Sequence, residues 1–228
     1  MVRLLLHRAR RGLGALEMSS SDGVFREIET TVAAEAVMRR MGMGPSAAQE
    51  MPALAALIAR GIGEGGALAA PAAVRATFRI ACNAGGVVGF RGTRFTVQSV
   101  RVAALLAPCS RATLIGATVG AGLTSAAARL MREKRMTEAM ILDAYGSEAV
   151  EAVVDAAAAL LEREAAEEGF ELTRRFSPGY GDWALEAQPG VLAALGAERI
   201  GISAGQGCIL VPEKSVTAVV GWLPRGKR

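Results

Sequence analysis

The sequence predicts an α/β (α+β) fold in which antiparallel strands are flanked by helices. Three observations carry this. The apolar run Ala112 to Val119, rich in β-branched residues and closed by Gly120, reads as a fully buried strand. Residues 148–168 repeat Val150, Val154, Ala157 and Leu161 at helical spacing. Near the C-terminus, segments 199–203, 208–211 and 215–221 read as short strands joined by links too short for a crossover helix, which favours antiparallel pairing.

Taken in order, residues 24–41 carry Val24, Ile28, Val32, Ala36 and Val37 at helical spacing and stop at Gly42 and Gly44-Pro45. A second helix is expected from Ser46, as N-cap, to about Arg60, with Leu54, Leu57 and Ile58 on one face. The cluster Gly61-Ile62-Gly63-Glu64-Gly65-Gly66 matches G-x-G-x-x-G, but that fingerprint needs a preceding strand and here a helix precedes. A flexible loop is the expectation. Strands follow at 74–80, 87–90 and 94–97 around an Arg91-Gly92 turn, and Ser99 caps a helix from Val100 to Leu106 closed by Pro108. After the buried strand, Thr124 or Ser125 caps a helix with Leu130 and Met131, and Thr137 caps another ending at Gly146. Ser147 then caps the helix to Glu168, with Gly169 just past its end and Glu162, Arg163, Glu167 and Glu168 facing water.

Composition bounds the function classes. The chain has 228 residues, 51% of them hydrophobic, enough for a core. Its net charge of +4 is concentrated at the start, where Arg3, Arg8, Arg10 and Arg11 face only Glu17. Residues 1–22 read as a basic, disordered tail or as a mis-assigned start, and residues 23–228 as a single domain. With 4% aromatic residues and no basic stripe interleaved with them, nucleic-acid binding is not expected. The longest uncharged run, Ala112 to Ala128, is too short and polar to cross a membrane, and a soluble, cytoplasmic protein is expected. His7 is the only histidine, so the body holds no Ser-His-Asp or Cys-His machinery and no His-ligated metal. Cys82, Cys109 and Cys208 are far apart and read as small buried hydrophobes.

The densest group of special residues is Arg174-Arg175-Phe176-Ser177-Pro178-Gly179-Tyr180-Gly181-Asp182-Trp183. Pro and Gly at the centre of Ser177 to Tyr180 suit a type II turn, which aims Tyr180 while Gly181 leaves room for close approach. Arg175 offers a planar fork suited to a carboxylate. Such a loop suits an amino-acid-like or nucleoside-like ligand, although on these residues alone a structural turn with packed aromatics is the simpler explanation.

The run RRFSPGYGDWALEAQPGVLAAL, then RIGIS and VPEKSVTAVVG, resembles stand-alone relatives of the activation domain of vitamin B12-dependent methionine synthase. ATLIGATVGAGL, ILDAYGSEAVEAVVD and EAVMRRMGM extend the resemblance over about residues 24–222. Its most specific parts are R-x-x-x-G-Y, at Arg175, Gly179 and Tyr180, and P-E-K-S-V at Pro212 to Val216. The resemblance implies a twisted antiparallel sheet with flanking helices and a site for S-adenosylmethionine. It implies that Arg175 pairs with the methionyl carboxylate, that Tyr180 and the backbone of Ser177, Pro178, Gly179, Tyr180 and Gly181 line the ligand, and that Glu151, with Glu148 next, supplies a carboxylate from the long helix. Ala184 stands where the family usually has Pro, and Pro189-Gly190 interrupts a segment that is usually helix.

In that family the methyl donor restores oxidised cobalamin with an electron from a flavodoxin-like donor. This sequence has no D-x-H-x-x-G cobalamin-binding segment and no Cys-rich zinc site, so any cobalamin belongs to a partner. The implied role is an accessory one: a reactivation subunit for a corrinoid methyltransferase, most naturally a methionine synthase lacking its activation domain, served by a flavodoxin- or ferredoxin-type donor. Two alternatives stay open: a non-catalytic binding or scaffold module of the same fold, and a reactivation partner for a different corrinoid methyltransferase.

Overall fold

The computed structural model describes residues 23–26, 28–44 and 50–226. A curled, seven-stranded antiparallel sheet forms its centre, in the order β4-β3-β2-β5-β9-β6, with β1 (Gly23–Arg26) paired to the first half of β2 (Ala72–Ala84). The middle strands are β5 (Arg111–Thr118) and β9 (Ser215–Pro224), while β3 (Val87–Phe90), β4 (Thr96–Gln98) and β6 (Phe170–Leu172) lie toward the edges. Both faces are covered, which is why β5 reads as a continuous apolar run: Ala112 and Leu114 join one core, Ile115 and Ala117 the other. Helices α1 (Ala34–Arg40), α2 (Pro52–Leu68), α4 (Gly122–Arg132) and α5 (Met136–Glu167) pack on one face, and α3 (Val100–Leu106) and α6 (Gln188–Leu195) on the other. Among the described residues, no helix is long and apolar enough to cross a membrane, and no His, Cys, Asp and Glu group is placed to hold a metal ion.

Several expectations are corrected. Residues 23–26 form a strand, not the start of a helix, because Val24 and Phe25 alternate across the edge of β2; only Ala34–Arg40 is helical. Ser46 lies outside the described residues, as does the whole basic segment 1–22. The glycine cluster is not a loop but the interior of α2: a Cβ at Gly61 would sit 2.4 Å from Ile141, and one at Gly65 2.4 Å from Tyr145. The two helices expected to part at Gly146-Ser147 are one helix of 32 residues. Ser147 donates to the Asp143 carbonyl one turn back instead of capping. Helix α4 starts at Gly122, before Thr124, where a side chain would strike the Leu68 carbonyl at 2.5 Å. In place of a strand at 199–203, a 3₁₀ turn spans Ala197–Ile200 between Gly196 and Gly201, both with positive φ, and the strand is reduced to β7 (Ser203–Ala204) paired with β8 (Leu210–Val211).

Ser99 accepts from the Val102 N–H at the start of α3, and Gly169, with φ +80°, follows the end of α5, both as the sequence predicts. Pro189 does not break the chain: it falls in the first turn of α6, where its missing N–H costs nothing. Of the three cysteines only Cys109 is buried, and burial pushes its thiol up to about 11.

Candidate functional site

Arg174 to Trp183 connects β6 to the helical segment before α6, and it is pinned at both ends. Phe176 exchanges two backbone hydrogen bonds with Val219 of β9, of 3.0 and 2.8 Å. Trp183 is buried beside Phe176, their ring centroids 6.5 Å apart. Between them the Tyr180 N–H reaches the Ser177 carbonyl at 3.3 Å and Gly179 has φ +89°, which is the geometry of a type II turn. Gly181 also has positive φ, and a Cβ there would lie 2.9 Å from Arg101.

Asp182 anchors the loop from the far side, a role the sequence reading missed. Its carboxylate accepts from the Ser99 hydroxyl and from the N–H groups of Val100, at 2.7 Å, and Arg101, at 3.3 Å. The Ser99 hydroxyl, helped by those two N–H groups, holds the Asp182 carboxyl below the usual aspartate range. One side chain thereby fixes the loop to the start of α3. Past it, Ala184 has φ −58°, the value that proline would lock, so the family's usual Pro is not needed for the exit geometry.

The loop, α5 and the start of β9 enclose a cavity of about 450 Å³, within the range of small-molecule sites. Arg175, Ser177, Pro178, Tyr180 and Glu151, all nominated from the sequence, line it together with Arg174, Gln188 and Ser215 to Ala218. Gly179 and Gly181 shape the turn without lining the cavity. Glu148, also nominated from the sequence, does not line this cavity: it pairs with Arg40 of α1. Three residues is 60° of rotation on a helix, enough to turn it away from Glu151.

One ridge of α5 serves the site. Asp143, Ser147, Glu151 and Asp155 follow one another at four-residue spacing. The first two hold Lys214 Nζ, at 2.7 and 2.8 Å, just before β9. The last two hold Arg175 Nη2, with Asp155 at 2.8 Å and Glu151 at 3.5 Å. Asp155 is thus the nearer carboxylate and was not foreseen. The signal for it was the four-residue step from Glu151, already present within the helix predicted over residues 148–168.

The floor is an open strand edge. Odd-numbered residues of β9 turn their backbone groups toward the loop, as Val219 does to Phe176 and Gly221 to Thr173. By the same alternation Ser215 and Thr217 present theirs to the cavity, where no strand pairs with them among the described residues. The Thr217 hydroxyl donates to Gln188 Oε1 at 2.7 Å, tying α6 to this floor.

This architecture has a solved counterpart. A structure of the MetH reactivation domain bound to AdoHcy is similar to this chain with a TM-score of 0.59 and 11% sequence identity, over 92% of this chain and 82% of that one. The fold is that of the MetH reactivation domain. At 11% identity the likeness establishes the fold and not the ligand. No family model matches the chain, and no curated protein matches it.

Proposed function

We propose that this chain binds S-adenosylmethionine in the cavity between the 174–183 loop, α5 and β9, and acts as a reactivation subunit for a corrinoid methyltransferase. The observation that carries the reading is the position of Arg175. It stands at the cavity wall beside Glu151, in a fold shared with a domain solved with AdoHcy.

The residues present fit such a ligand. Arg175 supplies a guanidinium for the amino-acid carboxylate, and Glu151 a carboxylate for the ammonium. Tyr180, 70% exposed, offers an aromatic face at the rim. The free edge of β9 provides backbone donors and acceptors for the polar atoms of a nucleoside. When bound, the sulfonium supplies a transferable methyl group. This chain's own residues bind and orient: Arg175 and Glu151 hold the amino-acid end, and the pinned loop keeps Tyr180 over the opening. The acceptor cobalamin belongs to a partner protein, most naturally a methionine synthase lacking its activation domain, and the electron to a flavodoxin- or ferredoxin-type donor.

Calorimetry with S-adenosylmethionine and S-adenosylhomocysteine tests the binding. Arg175→Ala removes charge-assisted hydrogen bonds worth about 1.5 to 3 kcal/mol and is expected to weaken both ligands roughly ten- to a hundredfold, with Arg175→Lys between it and the native protein. No heat at millimolar ligand sinks the reading and favours a scaffold of the same fold. Arg174 lines the same cavity, so Arg174→Ala is also expected to weaken binding. The partner assignment is tested by adding this chain, a reductant and the methyl donor to a methionine synthase truncated before its activation domain. Failure to recover turnover, with donor binding intact, points to a different corrinoid partner.

A further inference from the structure

We propose that Asp155 competes with a bound ligand's carboxylate for Arg175, so that the Arg175–Asp155 pair is a latch that sets how tightly carboxylate-bearing ligands bind. This rests on the reading above. A single nitrogen, Arg175 Nη2, serves both Asp155, at 2.8 Å, and Glu151, at 3.5 Å. The two carboxylates lie on different sides of it. Glu151 lines the 450 Å³ cavity, whereas Asp155 lines a second cavity of about 350 Å³, and Arg175 borders both.

The shorter contact therefore draws the guanidinium toward the second cavity and away from the proposed ligand. Two carboxylates against one guanidinium also leave negative charge where an incoming carboxylate must settle. Asp155 is the replaceable member. Its side chain is 66% exposed, so water can take it up once a ligand carboxylate displaces it, and the pair is too exposed to be strong. A latch of this strength tunes affinity without closing the site.

Asp155→Asn keeps the shape and removes the charge. The expected result is that S-adenosylhomocysteine binds roughly two- to fivefold more tightly to the variant, by calorimetry. Binding of 5′-methylthioadenosine, the same nucleoside without the amino-acid end, is expected to stay unchanged. Thermal melting of the same samples checks the fold, and Asp155→Ser is a second variant expected to behave alike. Unchanged or weaker S-adenosylhomocysteine binding in both variants overturns the latch, as does an equal change for the two nucleosides. If neither protein binds either nucleoside, the functional reading falls and the latch with it.

Discussion

Asp182 shows how one side chain can hold a loop that the sequence marks only by its turn residues. Its carboxylate is shared among three donors of the Ser99–Arg101 segment, and its acidity follows from that. A carboxyl whose folded-state pKa is depressed stabilises the fold above its unfolded value, about 3.9, and that contribution disappears as pH falls through the folded value. The anchor is therefore complete at neutral pH and is released as pH falls through that lowered value. The amide resonances of Val100 and Arg101 should shift with a midpoint below that of an ordinary aspartate, and Asp182→Asn should abolish the shift. A midpoint at or above the ordinary value means that the anchor does not form in solution. The Ser177–Tyr180 turn was legible in the sequence because Pro and Gly constrain the backbone, and Arg175 was nominated by its planar fork and by the family resemblance. Asp182 and Asp155 were not, because the partners of Asp182 lie more than eighty residues away in the chain and the partner of Asp155 lies twenty residues away.

At the scale of elements, what could be read was what local chemistry decides. Ser99 caps α3, the β-branched run forms β5, and the four acidic and basic residues expected to face water at the end of α5 do so. What could not be read is decided by packing. The glycines of α2 look like a loop because each costs about 0.5 to 1 kcal/mol of helix stability relative to Ala. They stay helical because Gly61 and Gly65, one turn apart, let α2 lie against Ile141 and Tyr145 of α5. The glycines of one cluster should therefore respond oppositely to alanine. Gly65→Ala places a methyl 2.4 Å from the Tyr145 ring and should destabilise by about 1 to 3 kcal/mol. At Gly63 nothing lies within 4 Å, so Gly63→Ala should stabilise by about 0.5 to 1 kcal/mol. Denaturant melts of the two variants decide it, and a loss of stability at Gly63 as large as that at Gly65 means that the segment is not packed as a helix.

Over the whole molecule, charge is sorted by segment. Gly65 to Arg132 holds eight arginines and no carboxylate, whereas residues 133–171 hold eleven carboxylates and three basic residues. Folding gathers basic residues onto α5 and its end, Arg75 and Arg111 from the first set and the others from segments outside it. The carboxylates of α5 receive Arg40, Arg60, Arg75, Lys214 and Arg175 from five surrounding segments, and Arg111 reaches Glu168 just past its end. Most of these pairs are exposed and individually weak. Arg75 differs, because it lies under α5 with its side chain 5% exposed, over the Phe25 ring, and with Glu164 at 2.6 Å as its carboxylate. Its Nε and Nη1 are buried without a hydrogen-bond partner. A buried cation stripped of its counter-ion is expensive, whereas replacing the whole pair with apolar groups often is not. Glu164→Ala should therefore cost about 1 to 3 kcal/mol, less than a fully buried pair because Glu164 is 38% exposed. Arg75→Met in that background should restore most of the loss, since it removes the stranded charge and its two unpaired donors together. Glu162→Ala, two residues away and facing water, is the reference and should change stability by no more than about 0.5 kcal/mol. If Glu164→Ala is as mild as Glu162→Ala, or if Arg75→Met adds to the damage, then α5 is held by its apolar stripe alone and the sorted charges serve the surface.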